Sequence, residues 1–222
     1  MSVITKFINA ENTKFAVDEI RQYLQDNPTY KGFINSDYKG NLSFNISEKI
    51  PEKFLNWIVY ISGGSFKQPH KVLSKKIRLY VMRELKNNKI ITIGGESYLY
   101  GLLGNFDEII HYTKYPSVYH DCNYNNSIFN KNISNNLVNY NTIDNLPIGD
   151  YDILLNLHKL SKNLIKVINK NKYRNLYIIS CSHDDFWKKV KLLDNYTLVK
   201  RKKFICYKLK YFLTVNTLES KN

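Results

Sequence analysis

Residues 89–113 read KIITIGGESYLYGLLGNFDEIIHYT, and the two apolar runs in this stretch decide the fold. Ile90 to Ile93 (IITI) is short and almost wholly β-branched, which predicts a buried strand. The pair Gly94-Gly95 ends it. Glu108 to Tyr112 (EIIHY) predicts a second strand of the same kind. Strands that are apolar on both faces belong to a parallel sheet with helices on each side. The flanking sequence repeats the unit. Pro69 to Leu85 carries Leu73, Ile77, Val81 and Leu85 at helical spacing, with Lys71, Lys75, Lys76, Arg78 and Arg83 on other faces, so it predicts an amphipathic helix with a basic outer side. Ser117 to Asn126 is compatible with a helix, Asp152 to Leu155 (DILL) with a strand, and Leu160 to Asn169 with a helix. Leu176 to Ser180 (LYIIS) predicts a strand and Asp184 to Leu193 a helix, while Phe204 to Tyr207 and Tyr211 to Leu218 predict a closing antiparallel hairpin. The expected fold class is α/β, a doubly wound and mostly parallel sheet with an antiparallel C-terminal strand. Ligands of such sheets bind outside the carboxyl ends of the strands, so the informative residues are those just after IITI, EIIHY, DILL and LYIIS.

Ahead of this pattern, residues 1–64 predict a small α+β extension to a domain spanning 65–222. Thr13 to Gln25 has helical periodicity, Tyr30 to Ile46 has turn formers at Lys39-Gly40-Asn41 between short apolar alternations, and Trp57 to Ile61 (WIVYI) predicts a strand. Between Asn123 and Asn145, ten of 23 residues are Asn, which suggests a polar loop; yet Ile128, Phe129, Ile133, Leu137 and Val138 argue against disorder.

The chain has 222 residues, 43% of them hydrophobic and 23% charged, a globular balance. Thirty-three Lys and Arg against 19 Asp and Glu give a net charge of +14, which favours a polyanionic partner, with nucleic acid first. No apolar run approaches the roughly 20 residues of a membrane span. The opening MSVITKFINAENTKF lacks the apolar core of a signal peptide, so an intracellular, cytoplasmic protein with no membrane association is expected. Cys122, Cys181 and Cys206 are too few and too scattered for a disulfide framework or a metal cluster.

At its strand ends the sequence resembles the catalytic domain of the tRNA uracil carbon-5 methyltransferases, which use S-adenosylmethionine. Ser65-Phe66-Lys67-Gln68-Pro69-His70 resembles the family's S-F-x-Q-x-N motif. Asn105-Phe106-Asp107-Glu108-Ile109-Ile110, Pro116-Ser117-Val118 and Asn123-Tyr124-Asn125 follow its second strand and next helix, and Tyr177-Ile178-Ile179-Ser180-Cys181 resembles its Y-I-S-C-N-P strand end. The likeness runs in one order from Ser65 to about Leu218. It implies a Rossmann-like class I methyltransferase domain acting on RNA of a tRNA-like kind. It also implies that Cys181 is the nucleophile: its thiolate adds to carbon 6 of uracil, and the resulting enolate takes the methyl group at carbon 5. Cofactor contacts are implied for Gln68, Gly94, Gly95, Tyr112 and Asn156.

The same alignment locates the departures. Thr92 stands where the family has an acid, and the family's glycines fall on Glu96 and Tyr98, whose side chains are expected to intrude on the cofactor unless the loop is shifted. Tyr112 or Thr113 replaces a ribose-binding Glu, for which Glu96 is a substitute candidate. Asn156-Leu157-His158-Lys159 replaces D-P-P-R, His183 is a candidate activator of Cys181, and Tyr211 to Val215 contains no acid. The alternative is therefore a catalytically inactive RNA-binding protein or partner subunit of the same fold. For RNA contact the sequence offers Lys159 and the run Lys200-Arg201-Lys202-Lys203, where adjacent like charges favour a neutralising anion and nearby aromatics can stack on bases.

Overall fold

The computed structural model describes residues 22–28, 35–36, 42–43, 48–63, 65, 71–157, 160–180, 183–206 and 211–221. Residues 22–26 are helical, at the end of the expected Thr13–Gln25 helix; the rest of that helix lies outside the described residues. Two two-residue strands, β1 (Asn35–Ser36) and β2 (Leu42–Ser43), pair antiparallel where a hairpin was expected. A second hairpin joins β3 (Lys49–Phe54) to β4 (Trp57–Ser62), with Leu55 at its tip in the left-handed region (φ 57°).

The main body alternates as the sequence suggests. Helix α1 (Lys71–Glu84) leads to β5 (Lys89–Ile93), a single 3-10 turn (Gly95–Ser97), α2 (Tyr98–Leu103) and β6 (Glu108–Thr113). There follow α3 (Pro116–Ile128), β7 (Ile133–Leu137), β8 (Asp152–Asn156), α4 (Lys162–Asn171), β9 (Asn175–Ser180), α5 (His183–Val190), β10 (Tyr196–Cys206) and β11 (Tyr211–Ser220). Seven strands form one sheet in the order β10-β11-β9-β8-β5-β6-β7. The pairs β7–β6, β6–β5, β5–β8 and β8–β9 are parallel; β11 runs antiparallel to both β9 and β10. The sheet is the doubly wound, mostly parallel one with an antiparallel C-terminal strand. Strand order reverses between β5 and β8, which puts the ligand crevice at the carboxyl ends of those two strands.

The period-two alternation of each strand feeds two cores. Ile90, Leu154, Tyr177 and Val215 face one side, where Leu73, Ile77 and Val81 of α1 pack with α2, α3 and the β3–β4 hairpin. Ile91, Ile93, Leu155, Ile178 and Leu218 face the other, against α4, Phe186 of α5 and the 138–151 connection. Phe54, Val59 and Ile61 of the hairpin belong to the first core, so the β3–β4 hairpin packs on one face of this sheet.

The hairpin is held by polar groups as well. Asp121 of α3, fully buried, accepts from Ser62 N (2.9 Å), Ser62 Oγ (2.5 Å), Ser65 Oγ (2.5 Å) and Lys49 Nζ. One turn on, Asn125 accepts from Tyr60 N (2.8 Å) and donates to Tyr60 O (2.6 Å). Residues i and i+4 lie on one helix face, so a single stripe of α3 grips β4 by its backbone.

Candidate functional site

The crevice is built from the last residues of β5 and β8. Gly94 leaves β5 with φ 95° and ψ 169°, and its N–H donates to Tyr112 O of β6 at 3.0 Å. A side chain there would put its Cβ 2.4 Å from Asn156 O and 2.4 Å from Leu157 Cδ2. Glycine is thus required twice over, by the backbone angle and by the neighbouring strand end. Gly94 is an expected cofactor contact, and its missing side chain makes room for the end of β8.

Beyond Gly94 the chain coils instead of looping outward. Gly95 opens the 3-10 turn, and Ser97 Oγ bonds back to Gly94 O. This coiling answers the expected clash. Glu96 and Tyr98 are each 2% exposed and turn into the first core, away from the crevice. Glu96 pairs with Arg78 of α1 at 2.7 Å. Arg78 also lies 4.2 Å from the Phe54 ring and donates to Lys53 O. Glu96 Oε2 is therefore engaged in a buried ion pair, while its Oε1 is buried with no hydrogen-bond partner. Burial raises the Tyr98 hydroxyl well above its ordinary range, and the group accepts from Asn125 Nδ2 at 3.3 Å.

Asn156 ends β8, and its Nδ2 is buried with no hydrogen-bond partner. An amide donor left unpaired at a switch point costs free energy unless a ligand acceptor or water meets it. After β6, Tyr112 is half-buried and packs against the second core, with its hydroxyl titration pushed up by burial. Thr113 Oγ1 accepts from Tyr115 N, and Lys114 projects over the Tyr115 and Tyr140 rings. Among the described residues, then, the ends of β5, β6 and β8 supply amide, hydroxyl and ammonium donors.

Beneath the crevice, His111 is fully buried between Thr92 and Tyr98. Its Nδ1 lies 2.9 Å from Thr92 Oγ1 and 3.1 Å from Thr92 O, and burial depresses its pKa to about 3. Cys122 is buried on α3, and burial pushes its thiol up to about 12, so it is a packing residue. No group of His, Cys, Asp and Glu with metal-binding geometry occurs among the described residues.

Gln68, Lys159 and Cys181 lie outside the described residues. Ser180, the neighbour of Cys181, ends β9 at the same edge of the sheet as Gly94 and Asn156. His183 opens α5.

The basic run is arranged differently from the sequence picture of one charged cluster. Lys200 to Lys203 lie within β10, where successive side chains point to opposite faces. Lys200 and Lys202, opposite Thr217 and Val215, face α1; Lys200 Nζ pairs with Glu84 at 2.7 Å and lies 5.4 Å from the Tyr80 ring. Arg201 and Lys203, opposite Asn216 and Thr214, face α5. Pleating separates adjacent cations onto opposite faces, and the Glu84 carboxylate neutralises Lys200.

No protein-family model matches the chain, and no curated sequence matches it significantly. Solved structures do. The tRNA (uracil-54, C5)-methyltransferase of Pyrococcus abyssi, in complex with S-adenosyl-L-homocysteine, is similar with a TM-score of 0.67 and 17% identity, over 80% of this chain and 45% of that one. The chain thus spans less than half the length of that protein. The tRNA m1G37 methyltransferase of M. jannaschii is similar with a TM-score of 0.61 and 14% identity, over 100% of this chain and 72% of that one. A complex of aTrm5 with tRNALeu gives a TM-score of 0.61 and 14% identity, over 98% and 69%. The fold is the Rossmann-like class I methyltransferase fold.

Proposed function

We propose that the chain is an S-adenosylmethionine-dependent methyltransferase acting on tRNA. The observation that carries this reading is the meeting of Gly94 and the unpartnered Asn156 Nδ2 where the strand order reverses. The likeness to a protein solved with S-adenosyl-L-homocysteine and to one solved with tRNA supports it. The donor set suits the amino-acid end of such a cofactor: Asn156 donates to an acceptor there, the Gly94-Gly95 turn presents backbone, and Gln68 and the Tyr112 edge complete the contacts. The ribose loses the carboxylate that usually grips its hydroxyls, leaving Thr113 and Lys114 at that strand end. When bound, the cofactor supplies an electrophilic methyl group on sulfur, so what this chain must do is orient a nucleophilic base and take up the proton it releases.

The finer reading gives Cys181 the attack on carbon 6 of uracil, with Lys159 and cations at the end of β10 on RNA phosphates. A second reading is favoured by the length of the likeness. The m1G37 enzyme matches the whole chain, N-terminal part included, whereas the uracil enzyme matches 80% of it. Methylation of a guanine ring nitrogen needs a proton acceptor and no thiolate, so this reading does not depend on Cys181.

Methyl transfer from labelled S-adenosylmethionine to unmodified tRNA, read as modified nucleosides, decides among them. 5-Methyluridine that disappears in Cys181→Ala supports the uracil reading. 1-Methylguanosine that persists in Cys181→Ala supports the second. No methylated nucleoside, together with no binding of S-adenosyl-L-homocysteine by calorimetry, overturns both and leaves a catalytically inactive tRNA-binding protein or partner subunit.

A further inference from the structure

The pleat of β10 sorts four adjacent cations into two pairs, one on each face. On the α1 face, Lys200 is bound by Glu84 and already has its counter-ion. On the α5 face, the guanidinium carbon of Arg201 lies 5.4 Å from the centroids of both Phe186 and Trp187. Lys203 Nζ lies 4.5 Å from the Phe212 ring, and Lys188 of α5 is exposed beside Trp187. Phe186 is buried, but Trp187 and Phe212 are only half-buried. No Asp or Glu pairs with Arg201 or Lys203 among the described residues. Cations with no acidic partner among the described residues, interleaved with part-exposed aromatic rings, have the composition of a single-strand platform: charges follow the phosphates while rings stack on bases.

Register ties this face to the crevice. Lys203 stands opposite Thr214, which stands opposite Ser180, so all three share one transverse row at the carboxyl end of β9. Two strand spacings put Lys203 about 10 Å across the sheet from the residue before Cys181. Thr214 is fully buried and its Oγ1 donates to Ser180 O at 3.3 Å; in the next row on the same face Asn216, opposite Arg201, is fully buried and its Oδ1 has no partner among the described residues.

We infer that Arg201 and Lys203, with Trp187 and Phe212, bind an unpaired segment of the tRNA leading to the crevice, and that Lys200 and Lys202 do not. The inference rests on the tRNA reading and divides its cations by face. The test is a matched pair of double variants, Arg201→Gln with Lys203→Gln and Lys200→Gln with Lys202→Gln, each removing the same charge. Binding of an unmodified tRNA transcript is followed by anisotropy across a salt series, with a thermal melt of each variant as the folding control. The first pair should weaken binding about tenfold and reduce the log–log salt slope by about 1.4, as expected for two lost single-strand phosphate contacts. The second should change affinity by no more than about twofold. Because Arg201 also packs on rings, Arg201→Lys provides a second measurement; it should keep the salt slope and lose part of the affinity. Equal weakening by both pairs means that only net charge matters and overturns the inference, as does a larger effect of the Lys200 pair or no effect of either. A wild-type chain that fails to bind the transcript sinks the underlying tRNA reading as well.

Discussion

Gly94 shows how one missing side chain fixes a site. Its φ of 95° is open to few other residues, and a Cβ would lie 2.4 Å from a backbone oxygen that cannot swing away. Gly94→Ala should therefore cost about 2–4 kcal/mol in urea unfolding, the backbone strain and the clash adding. It should also abolish binding of S-adenosyl-L-homocysteine, because the ends of β5 and β8 must separate. His111 makes a pH-dependent contribution. Burial holds it neutral in the folded state down to about pH 3, while the unfolded chain takes up the proton near 6.5. The unfolded state then binds more protons at low pH. Stability should fall as pH drops below 6.5, by up to about 1.4 kcal/mol per pH unit until the folded pKa is reached. Between pH 6.5 and 5, before most carboxylates titrate, the slope should flatten in His111→Gln relative to wild type, each measured by denaturant unfolding.

At the scale of elements, the hairpin β3–β4 depends on α3. Asp121→Ala would leave the buried Ser62 N without its acceptor and Lys49 Nζ with only Ser62 Oγ, at a cost of about 3 kcal/mol. Amide exchange should show it locally, with Ser62 losing protection well before the β5 and β9 amides. This grip was not readable from sequence, because Asp121 and Ser62 are far apart in the chain and neither falls in a motif. What was readable is what carries its signal locally. IITI, EIIHY, DILL and LYIIS are strands because β-branched or leucine runs with Gly, Asn, Asp or Ser at one or both ends leave few alternatives. β7 was missed because ISNNL is an edge strand with one buried residue, so asparagines hide it. β3 was missed because KIPEKF lacks a long apolar run. α2 was missed because YLYGLL is apolar all round, with no period to see, and is held by Gly101 pressed against Ile109. At the site, the positions of Gly94, Gly95, Tyr112 and Asn156 at strand ends followed from the sheet. The inward turn of Glu96 and the splitting of Lys200 to Lys203 required knowing which face each strand presents.

On the scale of the whole molecule, a positive surplus of 14 charges is compatible with attraction to RNA, yet it does not say where RNA lies. Location comes from pairing: cations already answered by acids, such as Lys200 with Glu84 and Lys89 with Glu108, are poor candidates. No helix among the described residues is long and apolar enough to cross a membrane.

The β3–β4 hairpin finally bears on how the protein can be cut. Phe54, Val59 and Ile61 share a packed interior with Ile77, Tyr100 and Val118, and Asp121 fastens Ser65 itself. A fragment beginning at Ser65 would bare that greasy wall and strand a carboxylate, so it should precipitate or melt far below the intact protein in a calorimetric scan. A fragment beginning at Glu48 retains the wall and should stay in solution.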